Sequence, residues 1–191
     1  MAEPNRRLTP EEYLAMERQS EEKHEYLDGE VFAMTGTSLR HNDIVWNISS
    51  ALHFQFRGRP CRASVGELRL RVDATGLYTY PDTVVVCGDP QLADAELDTL
   101  LNPILIFEVL SPSTEAYDRG KKFAHYRTIE SLAEIVFVSQ ERVQVERFSR
   151  QPGGGWLLLE ANRLEDRLPL PAIGCELSLA DVYERVFDSS V

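Results

Sequence analysis

The chain of 191 residues carries 20 Lys and Arg against 31 Asp and Glu, a formal charge of −11. That balance argues against a protein held on nucleic acid by overall charge, because phosphate attraction needs clustered cations. Hydrophobic residues make up 43%, enough to fill a core, and no apolar run approaches the ~20 residues a membrane-spanning helix needs.

The first element is a helix at "LTPEEYLAMERQ". Thr9 is its N-cap, Pro10 its first position and Glu12 the partner in a capping box. "HEYLDGEVFAMTG" reads as a β-hairpin turning at Asp28-Gly29. A long helix follows in "SLRHNDIVWNISSALHFQFRG", with Ile44, Ile48, Ala51, Leu52 and Phe56 at helical spacing and Gly58 after its end. "GELRLRV" alternates, with Leu68, Leu70 and Val72 on one face. "DTVVVCG" and "PILIFEVL" are continuous apolar runs, the mark of strands covered on both faces. "STEAYDRGKKFAHYRTI" is a helix opened by Ser113 or Thr114. "AEIVFVS", "RVQVERFSR" and "GGGWLLLEA" are further strands, and a last helix begins near Ser178. The order is that of one α+β domain over residues 1–191, built around a single mixed sheet, with an N-terminal helix-hairpin and C-terminal hairpins as additions.

Smaller signals read blandly. Cys61, Cys87 and Cys175 form no CxxC pair, and their odd number points to reduced core thiols. The basic clusters Arg57, Arg59 and Arg62, then Arg69 and Arg71, then Arg119, Lys121 and Lys122 read as solvated surface. "MAEPNRRLTPEEYL" has no apolar leader, so a cytoplasmic protein with no membrane contact is expected.

Glu108 does not fit its strand. An ionised carboxylate inside an apolar run needs a partner. The two apolar runs are joined by a segment too short for a comfortable crossover helix, so they are expected to be antiparallel neighbours. Asp82, which opens the first run, then converges on Glu108, near the end of the second. Two such carboxylates repel unless a cation lies between them, and Mg²⁺ takes oxygen ligands while keeping several waters. Asp118, Lys122 and Tyr126 follow at i, i+4 and i+8, on one helix face that folds back over the same strand end. Lys122 sits at the edge of that face and Lys121 points outward.

These stretches also carry a resemblance. "HEYLDGEVFAMTGTSLRHNDIV", "YPDTVVVC", "NPILIFEVLSPSTEAYDRGKKFAHYR" and "LSLADVYE" resemble the motifs of the Uma-type family of restriction-endonuclease-like proteins, within the PD-(D/E)XK nuclease superfamily, over about residues 8 to 187. The resemblance implies a restriction-endonuclease-like mixed β-sheet flanked by helices, and Mg²⁺-dependent hydrolysis of DNA phosphodiester bonds, with Mn²⁺ as a substitute. Asp82 and Glu108 would be metal ligands and Glu30 would complete the acidic set. His41 would contact phosphate or a bound water; the other reading is a histidine that only caps the start of the long helix by satisfying backbone groups. The general signature places a lysine two residues after the glutamate, where this chain has Leu110; Lys122 matches a lysine moved to the following helix.

The function expected first is therefore a metal-dependent DNA endonuclease. A homodimer is expected with it, since cutting two strands takes two sites. Two other functions remain open: a binding or assembly module with little activity, which the acidic charge and Leu110 favour, and a phosphodiesterase acting on a small nucleotide.

Overall fold

The computed structural model describes residues 7–34 and 36–187. Residues 1–6, part of the stretch read for an N-terminal leader, lie outside the described residues. Helix α1 (Pro10–Glu17) opens as its sequence dictates: the Glu12 N–H donates to Thr9 Oγ1 at 3.2 Å and the Thr9 N–H to the Glu12 carboxylate at 2.9 Å. Strands β1 (His24–Leu27) and β2 (Glu30–Ala33) form the expected hairpin. Asp28 and Gly29 both have positive φ, 50° and 88°, as a two-residue turn of this twist requires. A Cβ on Gly29 would lie 2.6 Å from the Arg7 Cβ, so the turn also needs the missing side chain.

Helix α2 (Leu39–Gln55) is capped by Ser38 and buries His41, Ile44, Val45, Ile48 and Leu52 along one face. Strands β3 (Cys61–Val65), β4 (Arg69–Val72), β5 (Leu77–Thr79), β6 (Thr83–Cys87), β7 (Thr99–Leu100) and β8 (Leu105–Leu110) follow. The helical segment after β8 is broken by geometry. It runs as α3 (Glu115–Tyr117), a π-helical stretch Asp118–Lys122, and α4 (Phe123–Tyr126). Strands β9 (Glu134–Ser139), β10 (Val145–Arg150), β11 (Trp156–Ala161), β12 (Arg167–Leu170) and β13 (Cys175–Ser178) lead to α5 (Leu179–Val182).

The class is α+β, as read, but among the described residues the strands divide among three sheets and not one. The six-stranded sheet has the order β11-β10-β9-β8-β6-β3, the five-stranded sheet β2-β1-β5-β4-β7, and β12-β13 stand as a pair. β8–β9 and β4–β7 are parallel and the other pairs antiparallel, so both larger sheets are mixed. The predicted antiparallel contact is present, with Thr83 opposite Phe107 and Val85 opposite Leu105.

Both faces of the central strands β6, β8 and β9 are covered, which is why β6 and β8 read as unbroken apolar runs. Val85, Leu105, Phe107, Val109, Val136 and Val138 pack with α2, β12, β13 and α5. Val84, Ile106, Leu110, Ile135 and Phe137 pack with Leu70, Val72 and Leu77 of the five-stranded sheet and with Tyr126, Ile129 and Leu132. Alternation along β8 sends Glu108 to this second face, between Ile106 and Leu110.

The thiol reading is corrected for two cysteines. Cys61 and Cys87 are direct partners across β3 and β6 and are joined in a disulfide, while Cys175 is free and buried. Among the described residues no helix is long and apolar enough to cross a membrane.

Candidate active site

Glu108 is 3% exposed and Lys122 4%. The Lys122 Nζ stands 3.0 Å from Glu108 Oε1, 3.3 Å from Glu25 Oε1 and 3.7 Å from Asp118 Oδ1. The Tyr126 hydroxyl donates to Glu108 Oε1 at 2.5 Å. Glu25, from β1, accepts a short hydrogen bond from the Thr79 hydroxyl and another from Tyr117 at 3.0 Å. Three elements therefore meet at one ammonium: β8, the hairpin of the five-stranded sheet, and the π-helical stretch. A π turn spreads one extra residue over its length, and such insertions recur at functional sites. Here the π-helical stretch begins at Asp118 and ends at Lys122, and both side chains are buried.

Asp82 lies beside this cluster, one residue before β6. Its Oδ2 accepts the Val109 N–H at 2.7 Å, and His41 Nε2 lies 3.1 Å from its Oδ1. The other ring nitrogen of His41 is buried and has no hydrogen-bond partner. The start of α2 is fastened here: the Ser38 hydroxyl accepts the His41 N–H and donates to Gln140, whose N–H reaches the Leu110 carbonyl.

The acids outnumber the base, and the titration directions follow. Burial pushes the Glu108 carboxyl up to about 8; Lys122 opposes this, and the charges of Asp82 and Asp118 add to it. Burial also raises Asp118, against the pull of Lys122. Burial works against the Lys122 ammonium, but Glu108 and the other acids around it hold its proton firmly. The cluster is a buried site with surplus negative charge, the condition that a divalent cation relieves.

Among the described residues no three His, Cys, Asp or Glu side chains stand as a ready metal cage. Mg²⁺ does not require one, since it binds through one or two carboxylates and keeps its waters. The donors here are hard oxygens, and Asp82 acts on the Glu108 charge directly. The residues present fit such an ion.

Of the positions singled out from sequence, Asp82, Glu108, Lys122 and His41 are brought to one end of the β6–β8 pair. Glu30 is not. Its side chain is 50% exposed on the edge strand β2, with Arg7 as its ion-pair partner at 4.0 Å. Glu25 takes the place expected of it. Tyr26 turns to α1, stacking on Tyr13, so the neighbouring Glu25 turns to the opposite face. Alternation alone could point to Glu25 only once Tyr26 was known to face α1. Leu110, where the general signature has its lysine, is buried in the second core.

The architecture defines a class. It matches a crystal structure described as "a putative nuclease belonging to DUF820" from Anabaena variabilis with a TM-score of 0.75 at 18% identity, covering 94% of this chain and 99% of that one. The fold is thus a nuclease-like α+β fold. Residues 10–181 match the Uma2 family, described as "Putative restriction endonuclease", and the chain belongs to that family. It is also similar to two uncharacterized proteins of Synechocystis sp. One is 37% identical over 180 residues, covering 94% of this chain and 93% of the relative. The other is 36% identical over 153 residues, covering 80% and 86%.

Proposed function

We propose that this protein is a metal-dependent endonuclease that hydrolyses DNA phosphodiester bonds at the Glu108–Lys122 cluster. The observation that carries the reading is a lysine buried within reach of Glu25, Glu108 and Asp118, with Asp82 at the same strand end. Asp82 and Glu108 would hold Mg²⁺, or Mn²⁺ in its place. When bound, the ion neutralises charge at the scissile phosphate and makes its water more acidic. Lys122 presents a fixed ammonium to the charge that develops on the phosphate oxygens, without reorganising at the moment of reaction. Tyr126 and Glu25 keep that ammonium and Glu108 in register. His41 and the Val109 N–H fix the Asp82 carboxylate. A homodimer would supply the second site that a double-strand cut needs.

The test is hydrolysis of supercoiled, linear and single-stranded DNA in Mg²⁺ or Mn²⁺, beside a small phosphodiester. DNA should be cut by the wild type and not by Asp82→Ala. Cleavage of the small phosphodiester alone would favour the small-nucleotide phosphodiesterase. Cleavage of neither substrate would leave the binding module.

A further inference from the structure

A groove of about 620 Å³ opens between the C-terminal half of α2 and the edge strand β3. Its lining includes Trp46, Ser50, His53, Phe54, Arg57 and Arg62, and no carboxylate. In a chain of net charge −11 an acid-free groove with two guanidinium groups is a local reversal of sign. Neither arginine is ion-paired among the described residues; Arg57 rests instead on the Phe54 ring, 4.8 Å from its centroid. Trp46 is 73% exposed and Phe54 63%. Large aromatic faces left in water beside unpaired cations are what a single nucleic-acid strand uses, bases on the rings and phosphates on the arginines.

The placement agrees. Trp46, Ser50 and His53 follow at spacings of four and three, one stripe along α2, and Arg57 stands four residues further on, in the turn just past the helix end. The same helix begins with His41 against Asp82, and His53 lies about 18 Å along the axis from it. The other wall also leads to the site, since Val65 of β3 pairs with Thr83, next to Asp82. The nearest acid on the stripe is Asp43, half-buried one turn before Trp46.

We propose that this groove binds a single strand of DNA and leads it toward the Asp82 end of α2. The inference rests on the nuclease reading and adds to it the form of the substrate and the residues that guide it. A second copy of the chain fits the groove less well, because a two-fold contact would set Arg57 and Arg62 of each copy against the same cations.

The test is fluorescence anisotropy of a labelled oligothymidylate of about twelve nucleotides, with a chelator present so that binding is read without hydrolysis. Wild type should bind, more weakly as salt rises. Trp46→Ala and Arg57→Glu should each weaken binding roughly tenfold or more, Trp46→Phe should restore most of it, and thermal melts should be unchanged for these exposed positions. Unaltered binding by Trp46→Ala and Arg57→Glu would overturn the proposal. So would tighter binding of oligouridylate, or a dimer in sedimentation that Trp46→Ala splits. Plasmid nicking in parallel separates the two readings. Nicking with no effect of these variants on binding removes the groove alone. Binding that they weaken, with no nicking by the wild type, removes the nuclease alone.

Discussion

An ammonium set among Glu25, Glu108 and Asp118 has fewer charges to offer than the acids around it. This imbalance makes Lys122 different from Lys121, its exposed neighbour. Lys122→Gln should lower DNA hydrolysis roughly 10²-fold, as loss of one preorganised electrostatic group does. Lys121→Ala should change it little. Steady-state nicking rates of the two variants check this, and the reverse ranking would remove Lys122 from the chemistry. The same imbalance fixes a pH dependence. The folded Glu108 carboxyl sits near about 8 in the absence of metal, above the ordinary carboxylate range. Its contribution to stability is complete below that ordinary range and is lost as pH rises through about 8. The melting temperature in chelator should therefore fall from about pH 5 to about 8, and Glu108→Gln should flatten the fall. A melting temperature that rises over this window, equally in both proteins, would contradict it. Glu108 was legible because an acid in an apolar strand is an anomaly on sight. Glu25 was not, because an acid in a polar hairpin is ordinary until the fold shows that Tyr26 is committed to α1.

The elements differ in how openly they declared themselves. α1, the β1–β2 hairpin and α2 are local objects with caps, a turn and a helical period. β6 and β8 are apolar runs, and their antiparallel contact followed from the short link between them. β3 passed unread, since "CRASV" neither alternates cleanly nor forms an apolar run; it is an edge strand held on one side by β6. The Cys61–Cys87 bond was hidden with it, because 26 residues separate the partners and only the pairing register brings them together. Closing a loop of that length is worth roughly 3 kcal/mol. Reduction, or Cys61→Ser with Cys87→Ser, should lower stability by about that amount in denaturant melts. It should leave Mg²⁺-dependent hydrolysis in place, because the bond lies at the far end of β6 from Asp82. Loss of hydrolysis in a still-folded reduced protein would show that β3 supports the site more than its position implies. The π-helical stretch was equally silent. Ordinary helical spacing predicted that Asp118, Lys122 and Tyr126 share a face, and they do meet at the cluster, but over a wider turn.

At the scale of the molecule, two sheets clamp one acid–lysine cluster. The six-stranded sheet brings Glu108 and Asp82, the five-stranded sheet brings Glu25, and the crossing segment between β8 and β9 brings Lys122 and Tyr126. The division into two larger sheets was not legible, because β4 and β6 both read as strands after the long helix and nothing local says which partners each takes. The arrangement holds surplus negative charge between two cores, so a divalent ion should stabilise the whole fold by mass action. In chelator, Glu108→Gln should melt at or above the wild type; with Mg²⁺ the wild type should rise and the variant should not. Equal shifts in both would place the ion elsewhere. The central claim is that metal-dependent hydrolysis occurs at this cluster. The most direct measurement is the rate of supercoiled plasmid nicking as Mg²⁺ is raised, for wild type and Glu108→Gln. The expected result is a rate that climbs and saturates for the wild type and stays at background for the variant. Nicking that needs no metal, or that the variant performs equally, would contradict the assignment.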